Sequence, residues 1–196
     1  MKKILVALWL VLLVAAMGTL FWYNQYRYSL PTPVPANYKA ISTGTYIRLP
    51  GNLHAASNKP VFLHFFNPDC PCSRFNINHV KALIKQYGSQ ASFAVVLVTA
   101  KQYTAKQIQD KFDLNIPIVQ DAALAAACGV YSTPQAVILS PGKQLFFRGN
   151  YNSSRYCTNK KSEYARQALD NLLHNLPVVH NPSATTSYGC RLANLN

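Results

Sequence analysis

The sequence predicts an α/β domain, a mixed sheet with an antiparallel end flanked by helices, carried behind an N-terminal transmembrane helix. Three observations predict it. Residues 4–23, ILVALWLVLLVAAMGTLFWY, form an uncharged apolar run preceded by Lys2 and Lys3. Residues 60–66 and 91–99 are two nearly continuous apolar segments of strand length, suited to a sheet buried on both faces. Residues 135–140 and 144–148 are two further strand-like segments joined by Pro141-Gly142, tightly enough for a hairpin.

The apolar run is about 20 residues, the length that crosses a bilayer core of about 30 Å as a helix. A cleavable signal would carry a shorter apolar region ending in a small-x-small site, and the best such site, at Ala15-Ala16, lies inside the run. Residues 1–23 are therefore expected to be a retained anchor. Lys2 and Lys3 favour a cytoplasmic N-terminus, and Phe21, Trp22, Tyr23, Tyr26 and Tyr28 cluster where rings would meet the membrane interface. Residues 24–40 form a proline-containing linker, whose stretch SLPTPVPAN reads as an extended spacer. Residues 41–196 are one domain with a C-terminal tail, long enough to bury a core and without internal repeats. With Lys2 and Lys3 taken from the 19 basic residues, 17 remain against 6 acidic ones. They are scattered and accompanied by no nucleic-acid-binding signature, so solubility and attraction to an anionic membrane surface account for them, and no nucleic acid partner is expected. The expected location is the inner (cytoplasmic) membrane of a bacterium, single-pass, with the domain facing the periplasm, where thiols can be oxidised.

Along the domain, residues 45–49 read as a short strand and residues 60–66 as a buried one. Phe75, Val80, Leu83, Ile84 and Tyr87 then recur at helical spacing up to Gly88 as a C-cap. Residues 91–99 give the second buried strand, 104–112 a helix, 117–120 a short strand, and 121–128 an alanine-rich helix opened by Asp121. The hairpin follows. Tyr164, Ala165, Ala168, Leu169, Leu172 and Leu173 mark one face of a closing amphipathic helix.

The stretch 60–75, PVFLHFFNPDCPCSRF, followed by Gly129-Val130-Tyr131-Ser132-Thr133-Pro134 and the hairpin, resembles the thioredoxin fold, and within it the membrane-tethered redoxins and peroxiredoxin-like proteins, over residues 59–176. The resemblance implies a reactive cysteine, Cys70, at the start of the first long helix and a cis-proline, Pro134, facing it. His64 stands six residues before Cys70, where that superfamily has a buried carboxylate, and a histidine can likewise take and return a proton near neutral pH. Thioredoxins carry C-x-x-C, whereas here Cys70-Pro71-Cys72-Ser73 places serine in the second cysteine position and a thiol one residue early. A Cys70–Cys72 disulfide would close over the fixed φ of Pro71 and be strained, which favours an oxidant or isomerase. A helix N-terminus would lower the thiol pKa of both cysteines.

Cys128, among alanines, reads as a small hydrophobe. Cys157 lies in the loop after the hairpin, which returns to the reactive side with Arg155. In similar redoxins a Gly-Cys near the C-terminus accompanies the reactive cysteine, and Gly189-Cys190 matches it. With Cys128 set aside, four cysteines allow three pairings. The expectation is a structural Cys157–Cys190 bond with Cys70/Cys72 as the working pair; Cys70–Cys190 as nucleophile and resolver stays open.

The expected function is thiol-disulfide exchange with protein thiols or disulfides, recharged by a further redox partner. A peroxiredoxin-like peroxidase is the first alternative, although Asn67 takes the position of that family's threonine. Copper delivery on the same fold is the second, although no histidine lies between Thr133 and Arg155, and His79 reads as a surface residue. A scaffold that keeps the fold without catalysis is the third. Residues 1–196 hold no nucleotide-binding glycine loop, paired carboxylates or serine triad, so no cofactor and no resident metal are expected.

Overall fold

A computed structural model describes residues 2–51, 53, 58–154, 156–178 and 181–192. The chain forms two compact units, residues 1–31 and 32–196. The first is helix α1 (Lys2–Ser29), whose residues 2–24 contain an 18-residue window of mean hydropathy 2.7 and are long and apolar enough to cross a membrane. The helix runs beyond residue 23 into the expected linker, and Trp22 stacks on Tyr26 at 5.2 Å. The side chain of Tyr28 lies outside the described residues.

The second unit follows the predicted order. Its elements are β1 (Val61–Phe66), α2 (Pro71–Phe75), α3 (Ile77–Tyr87), β2 (Ser92–Leu97), α4 (Ala105–Phe112), β3 (Ile118–Gln120) and α5 (Ala122–Ala127). Then come β4 (Ser132–Thr133), β5 (Gln135–Leu139), β6 (Leu145–Gly149), α6 (Tyr164–Leu173), α7 (Pro182–Thr185) and β7 (Cys190–Arg191). The main sheet has the order β3-β2-β1-β5-β6: β2 is parallel to both β1 and β3, and β5 is antiparallel to β1 and β6. A parallel half closed by an antiparallel hairpin, with β1 at the centre, is the thioredoxin-like arrangement. All six residues of β1 are buried, which is why its sequence shows no alternation. Val61, Leu63 and Phe65 face a core with Val96, Val137 and Leu139; Phe62 faces a second core with Val80, Leu83 and Leu169.

Local chemistry fixes the helix starts. Thr104 and Gln107 form a capping box on α4, and the Asp121 carboxylate accepts the Leu124 amide at the head of α5.

Four local expectations are corrected. Residues 45–49 make only one bridge, Tyr46 to Gln144 on the β6 side, with backbone bonds linking Gly44, Thr45 and Ile47 to Leu145 and Lys143. Pro50 lacks the N–H to extend them. The linker is not a spacer throughout: Thr32 and Pro35 are buried, and the Tyr38 hydroxyl donates to the Gly129 carbonyl at 3.0 Å. Prolines are compatible with packing when their neighbours supply the hydrogen bonds. Phe75 is exposed, because the helix breaks at Asn76 and α2 leaves the register of α3. His79 is half-buried, its ring edge-on to Tyr151 at 5.8 Å.

Candidate active site

Strand β1 ends at Phe66, and the chain turns tightly into α2. The Cys70 amide donates to the Asn67 carbonyl at 3.1 Å, and the Asn67 side chain accepts the Asp69 amide at 3.0 Å. Cys70 is the N-cap of α2 with extended backbone, and Pro71 takes the first helical position, where its missing N–H costs nothing. Ser73, fully buried, accepts the Asn67 amide at 3.3 Å and so ties α2 to the end of β1. The residue in place of the second C-x-x-C cysteine is thus a fastening. Helix α2 has 5 residues, so the aligned peptide dipoles behind Cys70 are fewer than one long helix would supply.

The tail completes the site. After α7 the chain reaches Gly189 at φ +142°, where the Thr133 carbonyl occupies the space a Cβ would need. Only glycine fits this approach. Beyond it β7 pairs antiparallel with β4, Cys190 opposite Thr133 and Arg191 opposite Ser132, and the Leu192 amide donates to the Tyr131 carbonyl at 3.1 Å. The Thr133–Pro134 peptide that follows is cis. This register delivers Cys190 to Cys70, and the two form a disulfide spanning 120 residues, with their Cα atoms 6.3 Å apart. Cys72 takes no part in that bond, yet the sulfurs of Cys70, Cys72 and Cys190 all lie within 4.8 Å of one another.

The expected Cys157–Cys190 bond and Cys70/Cys72 pair are therefore replaced. The tail folds along β4, so Cys190 ends beside Cys70, and Cys157 keeps its thiol. Cys157 does return to the cysteine helix: its Sγ donates to Asn76 Oδ1 at 2.6 Å, and the ring of Tyr156 lies 4.8 Å from that of Phe75. Burial pushes the Cys157 thiol up to about 12, with the charge of Glu163 adding, so it stays protonated. Arg155 lies outside the described residues. Cys128 is buried and its thiol is likewise pushed up to about 12, chiefly by burial.

His64 lies on the Phe62 and Phe66 face of β1, 1% exposed. Its Nδ1 shares a hydrogen bond with the Tyr151 hydroxyl at 2.7 Å, and its Nε2 is buried with no partner among the described residues. Burial, and then the charge of His79, pushes the His64 imidazole down to about 3. Proton exchange by His64 near neutral pH is thus not supported: burial keeps the ring neutral, and among the described residues no acidic group offsets it. Its folded pKa lies below the unfolded value of about 6.5, so the unfolded chain binds the extra proton between roughly pH 3 and 6.5 and stability falls as pH falls through that window. The expected loss from this group is about 1 kcal/mol per pH unit between pH 6 and 4. Urea denaturation across that range should show it, with a shallower slope in His64→Phe; an unchanged slope in the variant would assign the acid sensitivity elsewhere.

Several site residues carried no signal in their neighbourhood of sequence. Tyr151 and Asn76 act through partners 87 and 81 residues away. Asp69, next to Cys70, receives the Tyr103 hydroxyl at 2.9 Å and Lys101 Nζ at 3.2 Å. Burial raises its carboxyl, but these two hydrogen bonds and the charges of Lys101 and Lys111 together hold it below its ordinary range.

A central β1 running into a cysteine at a helix start, with a cis-proline just before the neighbouring strand β5, defines a thioredoxin-like fold. Within that class the chain belongs to the family described as domain of unknown function (DUF6436), whose model matches residues 39–192. No curated protein matches it. Among solved structures it is similar to a hypothetical protein from Sinorhizobium meliloti, at 16% identity over 79% of this chain and 96% of that one, with a TM-score of 0.62. An uncharacterized conserved protein from Geobacillus kaustophilus aligns at 21% identity over 83% of this chain and 97% of that one, also with a TM-score of 0.62. A secreted disulfide oxidoreductase of Mycobacterium tuberculosis aligns at 18% identity over 61% of this chain and 83% of that one, with a TM-score of 0.44.

Proposed function

We propose that this protein is a membrane-anchored, extracytoplasmic thiol-disulfide oxidoreductase in which Cys70 exchanges with a partner's sulfur and Cys190 resolves the mixed disulfide. The observation that carries this reading is the convergence of three sulfurs, two of them bonded, beside cis-Pro134. Disulfide exchange with a partner needs an attacking sulfur and a second sulfur within reach to resolve the mixed disulfide, and once reduced this cluster holds both. Cys72, within reach of both bonded sulfurs, can take over as resolver when the tail is displaced. Neither His64 nor Cys157 is suited to act as a base near neutral pH: burial makes the His64 imidazole a very weak proton acceptor and keeps the Cys157 thiol protonated. The reading predicts that the oxidised protein yields a Cys70–Cys190 peptide on non-reducing digestion. It predicts also that the reduced Cys72→Ser/Cys190→Ser variant traps a partner as a mixed disulfide on Cys70, identifiable by mass spectrometry. Trapping that survives Cys70→Ser would refute it.

The anchor and its orientation rest on α1 and on Lys2 and Lys3. Protease added to spheroplasts should remove the domain and leave α1 in the membrane fraction. Digestion only in inverted vesicles would reverse the orientation.

One observation favours a second reading: once reduced, the same three sulfurs form a compact soft-donor set suited to Cu(I). Titration of the reduced protein with Cu(I) against a competing chelator tests it. Retention that survives Cys72→Ser and Cys190→Ser alike would remove the site.

A further inference from the structure

Among the described residues β4 pairs with the two residues of β7 alone, and these strands form a two-stranded sheet of their own. Their register does chemical work. Cys190 stands opposite Thr133, one residue before cis-Pro134, and from there its sulfur reaches Cys70. Pairing along a strand edge uses backbone groups alone, so an extended segment of another chain can take the same place, and in the same register its cysteine would meet Cys70.

Polar side-chain atoms beside this edge are left over. Ser132 Oγ, Thr133 Oγ1 and Gln135 Oε1, on residues at most 1% exposed, have no hydrogen-bond partner among the described residues. The tail is fastened on both sides of Gly189, and only the downstream side includes the redox-sensitive bond. Upstream it is fastened: Asn150 Nδ2 donates to the Ser183 and Thr186 carbonyls at 3.0 and 2.6 Å, and the Asn150 amide to Ala184 at 2.8 Å. Downstream of Gly189 the described anchors include the short ladder, Thr32 Oγ1 on the Gly189 carbonyl, buried Leu192 and the disulfide, which ties this part of the tail to the redox state of Cys70. On the elements that carry the cysteines, Phe75 at the end of α2, Tyr156 packed on it and Tyr188 two residues before Cys190 are 41%, 47% and 37% exposed, apolar surface for an incoming segment.

We infer that residues 189–192 are an intramolecular stand-in for the substrate: oxidised, the tail covers the β4 edge, and reduced, it yields that edge to an extended, cysteine-bearing protein segment with apolar flanks. This rests on the exchange reading above. The cycle balances. A dithiol donor attacks Cys190, the more exposed half of the bond, releasing the Cys70 thiolate; the donor's second thiol then frees Cys190, and the donor leaves oxidised by two electrons. The tail lifts, and a partner segment carrying a disulfide pairs with β4. Cys70 attacks that disulfide, and the displaced partner thiolate takes a proton. Cys190 then attacks the Cys70 sulfur, restores Cys70–Cys190 and releases the partner's second thiolate, while the returning strand displaces the partner's backbone. The partner disulfide gains the two electrons that the donor supplied.

Hydrogen exchange on the full chain tests the gate. On reduction with dithiothreitol, the amides of residues 190–192 should exchange at least about 10-fold faster, beyond any change in β1, which reports global opening. In reduced Cys72→Ser/Cys190→Ser, the disulfide-linked dimer of a peptide of sequence TSYGCRL should join Cys70 and restore protection to residues 131–133. Gly189→Val, which cannot seat the tail against Thr133, should react with that peptide faster than the reduced native chain does. Unchanged tail protection on reduction, with Gly189→Val no faster, would overturn the gate while leaving exchange at Cys70 standing. Failure of Cys70 to react with the peptide disulfide in every variant would sink the exchange reading and the gate with it.

Discussion

Cys70→Ser is expected to abolish disulfide exchange, lowering the rate by about 1,000-fold or more, as removal of an attacking group does when no other group can replace it. A serine hydroxyl does not ionise in this pH range, and its oxygen cannot form the mixed disulfide. The other cysteines should separate by position. Cys190→Ser should leave the first attack intact and slow resolution, so that mixed disulfide accumulates. Cys72→Ser should matter chiefly in that background, because Cys72 lies within 4.8 Å of the same sulfurs. Cys128→Ser and Cys157→Ser should change exchange by less than about 3-fold, since burial holds both thiols protonated, away from the reacting form. Turnover with a fluorescent disulfide peptide, together with quenched-flow trapping of the intermediate, measures every arm. Full turnover in Cys70→Ser would move the nucleophile to Cys72.

The parts of this fold written in local pattern were legible, and those written in long-range contact were not. Residues 60–66 announce a buried central strand because both faces are covered, and Asp121 and Thr104 announce helix starts because their side chains bond to amides three residues on. The hairpin at Pro141-Gly142 is equally local. The destination of the tail is different. Whether Cys190 meets Cys70 or Cys157 depends on whether residues 189–192 lie along β4, and that is decided by the space left at Thr133 for Gly189 and by Thr32, 157 residues away. No spacing rule contains that information. His64 shows the same limit: its offset from Cys70 suggested a proton carrier, but its partner is Tyr151, and burial rather than sequence position sets its titration.

Reducing Cys70–Cys190 is expected to cost the fold about 3–5 kcal/mol, because the bond closes a loop of 120 residues and so restricts the unfolded chain strongly. For a chain of this size that is a fall in Tm of about 10 °C. Thermal unfolding with and without dithiothreitol measures it, and Cys70→Ser/Cys190→Ser should match the reduced protein and ignore the reagent. A difference below about 1 kcal/mol would mean that the unfolded chain is already restricted without the bond. The same free energy acts in reverse on the chemistry. What the disulfide adds to the fold, the fold returns as resistance to reduction, about 60–110 mV for this range. A strained Cys70–Cys72 bond would have driven the protein toward oxidising its partners. A Cys70–Cys190 bond supported by the fold drives it the other way, toward re-forming its own disulfide at a partner's expense. Equilibration with glutathione buffers of stated ratio should therefore find Cys70–Cys190 oxidised under conditions that reduce a two-cysteine peptide cut from the same sequence. Reduction of the protein before the peptide would reverse the assigned direction of electron flow.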